Sequence, residues 1–498
     1  MQASERPVEP SSNASVGRLV ARNTLFLTAA QVITIPISIG VSALTARYLG
    51  PVEFGYIYIA TTLCAFGFLA VEWVQTGVLP AAIAREHKKA PLLLGTSLAW
   101  RSVLCVFVYL ALALGCHLFG YGAELQWALG IMFAVSLASS FASAFKDAIR
   151  GFERTDLPAY SQVGQQVLIA ILTAAVLIPG GRLRAALLAQ LVAGAISLWL
   201  LWLALRLVGV RTLAADRKTL GPLLREGTPF VFFGLAMALQ PNIDTLYLSK
   251  LAPPEVMGWF AVSRRLIGQL LFPASALLSA LYPTLCRLYT SDLPAFIRTT
   301  RGALASVALL VVPVALGCLL YPEIGISIFS RKSFGPAEDN LRISSLFIFL
   351  VYFTMPLGIC ILAAGKQRAW SIVQSLCIVV SLVLDPILVP WFQTRNKNGG
   401  LGLSLAGVLS EVLVVACGIA LAPRGIFDRR FARLLALALI SGAAMTLVAY
   451  ALRSINSFIA APIALCAYGV ALVLTGAVEK QQIQAARALV SRKLSRSR

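Results

Sequence analysis

Apolar residues in this chain run in blocks of twenty or more, and polar residues come as short interruptions between them. A helix rising 1.5 Å per residue needs roughly 20 mainly apolar residues to cross a bilayer. On that rule the pattern predicts about fourteen spanning helices. Six fall at about 23–46, 55–80, 92–117, 124–146, 158–179 and 184–207. Six more fall at about 228–250, 256–284, 300–321, 342–364, 369–392 and 400–422, and the last two at about 431–452 and 457–477. The predicted fold class is all-α, a polytopic integral membrane protein. Its expected parts are a disordered polar N-terminus (1–22), a six-helix lobe (23–207), a linker (208–227), a second six-helix lobe (228–422), two additional helices within 431–477, and a basic tail (478–498). The outer stretch near 322–341 is long enough for a short interfacial helix.

Composition sharpens this picture. Of 498 residues 58% are hydrophobic and only 13% charged, too few charges to cover a soluble fold of this size. The formal charge of +21 could suggest nucleic acid, but its distribution says otherwise. With the N-terminus placed in the cytoplasm, the inside segments hold 29 Lys and Arg and the outside loops ten, with Arg101, Arg264 and Arg265 inside helices. That asymmetry is the positive-inside rule. One missed helix would invert every later loop, so both termini are expected to be cytoplasmic and no nucleic-acid partner is expected. The first apolar run is too long for a secretory signal and lacks a cleavage site of small residues.

Other chemistry is sparse. Nine cysteines sit in apolar stretches without a C-x-x-C, and His87 and His117 are far apart. No metal site is expected. No phosphate-cradling glycine loop is present, and no loop is long enough for a soluble motor domain. No cofactor is expected beyond a coupling H+ or Na+.

Two turns repeat. Residues 49–58 read LGPVEFGYIY and 251–260 read LAPPEVMGWF. They lie six helices apart, hence on the same membrane face, the outside by the charge count. A second echo follows in the same order: GFER at 151–154 and GKQR at 365–368, with VLIP at 176–179 and ILVP at 387–390 closing the next helix. The spacing predicts two parallel repeats about an axis along the membrane normal. Paired lobes of this kind enclose a substrate cavity that rocking exposes to each side in turn.

Several stretches resemble one family. NIDTLYLSKLAPPEVMGWFAVSRRL resembles its seventh and eighth helices, and RYLGPVEFGYIYIA the counterpart in its first half. LYPEIGISIFSRKSFGPAEDNLRISSLF is similar to the segment before its tenth helix. AAGKQR, with PILVP and a Gly-rich turn after it, is similar to its eleventh and twelfth helices. These are the O-antigen and exopolysaccharide flippases of the multidrug/oligosaccharidyl-lipid/polysaccharide superfamily. The resemblance implies a polyprenyl-diphosphate-linked oligosaccharide as cargo, moved from inner to outer leaflet of a bacterial cytoplasmic (inner) membrane. It also implies a polysaccharide polymerase and chain-length machinery as partners beside the membrane lipids. One departure stands out: the family often has an acid just before the glycine late in helix 2, whereas Glu72 here precedes Gly77 by five residues.

Charges at bilayer depth cost roughly 2.5–3.5 kcal/mol each on insertion scales and face a cavity or a partner. The candidates are Glu72, Arg101, Asp244, Arg264, Arg265, Asp385 and Glu411. Arg101 and one of the adjacent Arg264/Arg265 pair could bind diphosphate with their planar guanidinium forks. Neighbouring helical residues diverge by about 100°, so Arg264 and Arg265 cannot both face one cavity squarely. A structural ion pair between Asp244 and Arg264, at similar depth, is the alternative. Gln240 and Asn242 flank Pro241 beside Asp244, and Asp385 precedes Pro386; sugar or ion contacts and simple repair of the broken helical ladder both fit. Glu72 and Glu411 are candidate proton or cation sites. A cation-coupled multidrug or small-solute antiporter of the same superfamily is a competing function, though it would favour a more acidic cavity. A membrane-embedded polymerase or ligase is another, but such enzymes need large outer loops with catalytic carboxylates, so the chain is not expected to be an enzyme.

Overall fold

A computed structural model describes residues 13–72 and 78–477, with side chains throughout except at 13–25, 27, 28, 229–241 and 331. The described residues form helices and connecting turns, with no strand among them. In chain order these are α1 (Asn13–Val71), α2 (Val78–Arg85), α3 (Ala90–Leu118), α4 (Ala123–Gly151), α5 (Asp156–Leu177), α6 (Leu183–Leu207), α7 (Arg217–Leu251), α8 (Pro254–Leu270) and α9 (Phe272–Ser291). They continue as α10 (Leu293–Leu320), α11 (Pro322–Phe329), α12 (Arg331–Phe334), α13 (Ala337–Ala363), α14 (Gln367–Asn396), α15 (Gly400–Leu421), α16 (Arg429–Ala451) and α17 (Ser457–Leu474).

Twelve segments among the described residues are long and apolar enough to span a membrane. The first of them, Ala29–Val71, has 43 residues and would run about 64 Å if straight, twice a bilayer core. It breaks at Gly50, whose φ of 75° and ψ of 178° no helix contains, so it supplies two crossings. α7, whose first turns carry Arg217, Lys218, Arg225 and Glu226, covers the expected helix at 228–250 but is not among these twelve. α1 begins at Asn13, inside the N-terminal stretch expected to be disordered; the rest of that stretch and the basic tail lie outside the described residues. The stretch expected to hold a short interfacial helix holds two short helices, α11 and α12.

By its internal contacts the chain forms two compact units, one of residues up to 48 with 60–235, the other of 49–59 with 236–498. In the first unit α4 packs against α2, α3 and α6, and α5 lies on α6. Its core joins Leu79 and Ile83 of α2 to Leu94, Phe145, Ile149, Leu201 and Leu205. The predicted linker is partly tied down there: Ala214 N–H donates to Pro91 O at 3.3 Å and Asp216 N–H to Thr96 Oγ1 at 3.1 Å. In the second unit α13 is central, packed on α8, α9, α10 and α15, while α14 lies on α15 and α16 on α10 and α17. Close approach through small residues drives such packing where lipid is as apolar as the helices. A Cβ at Gly402 would lie 2.6 Å from the Leu388 backbone, so α14 and α15 touch main chain to main chain.

Cation–aromatic pairs mark helix ends. Arg206 stacks 3.6 Å over Trp202, Arg395 4.6 Å over Trp391 and Arg453 4.7 Å over Tyr450. Amphipathic rings and snorkelling cations belong at the lipid–water boundary.

Candidate functional site

The repeated turns answer each other physically. Residues 49–59 belong by contact to the second unit, where they meet the start of α8. A Cβ on Gly55 would lie 2.1 Å from Pro254 O, and a Cβ on Gly258 would lie 2.1 Å from Pro51 O. The two contacts are reciprocal: Pro51 and Gly55 are four residues apart, as are Pro254 and Gly258. Each helix start presses its glycine against the other's first-turn carbonyl. This fixes the repeat register at 203 residues, one more than the visible match of Leu and Glu suggests, so Glu53 and Glu255 are not equivalent. Over the seam lies the α11–α12 segment. Phe334, fully buried, packs edge-on against Phe54 at 6.0 Å, and Trp259 Nε1–H donates to Ser333 O at 3.1 Å.

On α8 the adjacent arginines diverge as helix geometry requires. The Arg264 guanidinium lies 5.6 Å from the Phe347 ring of α13 and 5.9 Å from Phe260, within electrostatic reach of Asp244. Arg265 lies 5.2 Å over Phe54 and faces Tyr58. One arginine therefore addresses α7 and α13, the other the seam.

Within electrostatic reach of Arg264 is a carboxylate pair. Asp244 of α7 accepts from Ser381 Oγ–H at 3.0 Å and faces Asp385, four residues beyond Ser381 on α14. Asp385 is fully buried, with the Asp244 carboxyl within hydrogen-bond reach of its own. Two carboxylates in contact hold together only with a proton or cation between them. Pro386 and Pro390 in α14 each withhold an N–H, which leaves the carbonyls of Leu382 and Pro386 without their helical donors. Oxygen is therefore plentiful here. Asn242 is half-buried on the same helix as Asp244; the side chain of Gln240 lies outside the described residues. Glu411 of α15 meets Thr354 of α13.

The first unit holds a separate polar cluster. Arg101 of α3 is fully buried. Its Nη1 donates to the Ser140 carbonyl and, at 3.3 Å, to Ser140 Oγ on α4. Glu72 and Asp147 are its acidic neighbours, and Asp147 also pairs with Arg150 at 3.1 Å. Sequence reasoning missed Asp147, which looks like a loop residue at the end of a span, and Ser140 and Ser381, which carry no charge to draw attention. Removing one partner of a buried ion pair costs about 3–5 kcal/mol. Arg101→Ala is therefore expected to lower the melting temperature in detergent, and adding Glu72→Gln with Asp147→Asn to recover part of the loss. Normal stability with lost export would instead give Arg101 a role toward cargo alone.

Among the described residues no group of three or more His, Cys, Asp or Glu side chains could hold a metal. The carboxylate pair with hydroxyl and carbonyl oxygens around it suits a proton or a hard monovalent cation.

Residues 20–289 match the family described as polysaccharide biosynthesis protein, more than half of the chain. The chain belongs to that family. No curated protein compared with the chain matches it. Among solved structures, the lipid II flippase MurJ in an inward closed conformation is 14% identical, with 92% of this chain and 99% of that chain covered at a TM-score of 0.73. An inward-facing multidrug resistance transporter of the MATE family, in the MOP superfamily, is 14% identical over 78% of this chain and 94% of that one, TM-score 0.63. The MATE multidrug transporter DinF-BH in complex with R6G is 17% identical over 85% and 99%, TM-score 0.56. The polysaccharide biosynthesis protein thus has the fold of the multidrug/oligosaccharidyl-lipid/polysaccharide superfamily, and these fold neighbours are a flippase and two multidrug transporters.

Proposed function

We propose that this family member is a flippase for lipid-linked oligosaccharide. It carries a polyprenyl-diphosphate-linked glycan from the inner to the outer leaflet of the bacterial cytoplasmic membrane by alternating access, with both termini in the cytoplasm. The product feeds O-antigen, exopolysaccharide or capsule assembly, where a polymerase and chain-length machinery are the partners. The family match carries this reading. It is supported by arginines at bilayer depth, whose forks suit a diphosphate, and by the cargo's own physics: each unpaired hydroxyl taken from water into hydrocarbon costs roughly 2–7 kcal/mol, so a glycan crosses only along a polar path.

In this reading Arg264 and Arg265 attract the diphosphate, Asn242 and Gln240 offer hydrogen bonds to sugar, and the Asp244–Asp385 pair takes up the H+ or Na+ that drives the cycle. Glu72 and Glu411 are further candidates for the coupling ion. The competing multidrug antiporter shares the fold but would not need paired cations on α8.

The test is Arg264→Ala with Arg265→Ala. The double variant is expected to insert at the wild-type level and to abolish export, with undecaprenyl-linked glycan accumulating on the inner leaflet. Unchanged polysaccharide at equal protein level would remove both arginines from the mechanism. Wild-type drug extrusion without glycan accumulation in a deletion strain would favour the antiporter.

A further inference from the structure

A groove in the first unit shares no residue with the polar cluster around Arg101. It runs between α3, α4 and α6 with a volume of about 530 Å³, within the roughly 300–1,000 Å³ of small-molecule clefts. Tyr109, Trp127, Gly130, Ile131, Ala134 and Leu191 line it. Its floor is open because of Gly130: a Cβ there would touch the Tyr109 hydroxyl at 3.4 Å. Trp127 is 57% exposed, as befits the amphipathic ring of an interfacial tryptophan.

The mouth carries one charge of each sign. Arg184, the second residue of α6, pairs with Glu124, the second residue of α4, at 3.0 Å. Its guanidinium stacks 5.1 Å over Trp127. Both charged side chains are more than half exposed, so the pair is open to a third party. From Glu124 to Ala134 is ten helical residues, about 15 Å, half the thickness of a bilayer's hydrocarbon. The groove therefore starts at a headgroup and ends near the midplane, on the outer-leaflet side by the loop charges.

We infer that this groove seats one phospholipid with a zwitterionic, primary-amine headgroup of the phosphatidylethanolamine type. The phosphate meets Arg184, the ammonium donates to Glu124, and one acyl chain lies over Gly130 toward Ala134. An anionic headgroup would draw Arg184 to its phosphate and leave the Glu124 carboxylate with no cation of its own. A choline headgroup has no N–H for the carboxylate. The diphosphate of a polyprenyl carrier would, like an anionic headgroup, leave Glu124 unanswered.

Native mass spectrometry of the full-length protein tests this, after exchange into phosphatidylethanolamine, phosphatidylglycerol or phosphatidylcholine of equal chains. The wild type is expected to retain one phosphatidylethanolamine about fivefold better than the other two, the scale of one exposed charge pair. Glu124→Lys is expected to turn the preference to phosphatidylglycerol, and Gly130→Leu to remove the adduct without lowering the melting temperature. Should Glu124→Lys fold poorly, Glu124→Gln must bring phosphatidylethanolamine down to the phosphatidylcholine level. Equal retention of all three lipids, or a preference untouched at position 124, overturns the proposal. So does undecaprenyl phosphate displacing phosphatidylethanolamine from the wild type but not binding Gly130→Leu, which would give the groove to the cargo's tail.

Discussion

Gly258→Leu is expected to open the seam between the two repeated turns and stop export. The obstacle is main chain. A Cβ at 258 would lie 2.1 Å from Pro51 O and 2.7 Å from its carbonyl carbon, well inside the roughly 3.3–3.6 Å of a favourable C–H···O contact. No rotamer relieves that, so a helix must move, and close-packed interiors yield poorly. Overpacking of this sort costs about 1–3 kcal/mol or more. Gly55→Leu should do the same from the other side. Because both changes break one seam, Gly55→Ala with Gly258→Ala should cost less than the two single variants added together. A cysteine at Phe334, buried over the seam, gives a local readout. In a background without the native cysteines it should resist an impermeant maleimide, and should label once Gly258 is replaced. Wild-type export and melting in Gly258→Leu would refute the role given to the seam.

Asp385→Asn is expected to make the protein more stable and less active together. In the native chain two buried carboxylates face each other, and holding them so costs free energy unless a cation intervenes. An amide at 385 can donate to Asp244 and needs no cation. The melting temperature should rise by a few degrees, while export falls to background. The stability of the wild type should also respond to the coupling ion, because a ligand held by the folded state alone stabilises it by RT ln(1 + [L]/Kd), about 2.7 kcal/mol at a hundredfold excess over Kd. Melting curves with Na+ exchanged for choline at constant ionic strength, and across pH, identify which ion acts. Asp385→Asn should be indifferent to it. A wild type indifferent to both would end the coupling role.

Much of this architecture can be read in one dimension. Span length and apolar content follow bilayer thickness, so most helices fall where the hydrophobic blocks do, although the helix expected at 55–80 ends at Val71 and the one expected at 256–284 breaks at Leu271. Individual partners are harder. Ser381 is 137 residues from Asp244 and Ser140 is 39 from Arg101, and nothing in local pattern links them. The glycines of the seam read as turn residues, yet Gly50 alone of the three needs a positive φ. Gly55 and Gly258 are glycines because another backbone is there, which no single-segment rule detects. The short helices α11 and α12 fall in a loop whose place over Phe54 depends on contacts nearly three hundred residues apart.

The reciprocity of Pro51 with Gly258 and Pro254 with Gly55 is the pattern two identical chains make across a dyad, where each residue change counts twice. Joined in one polypeptide, the copies are free to drift: the first keeps Gly50 before its proline, the second has Pro253. An ancestral homodimer would have had to find one turn good for both sides; the fused chain can tune each side of its seam alone.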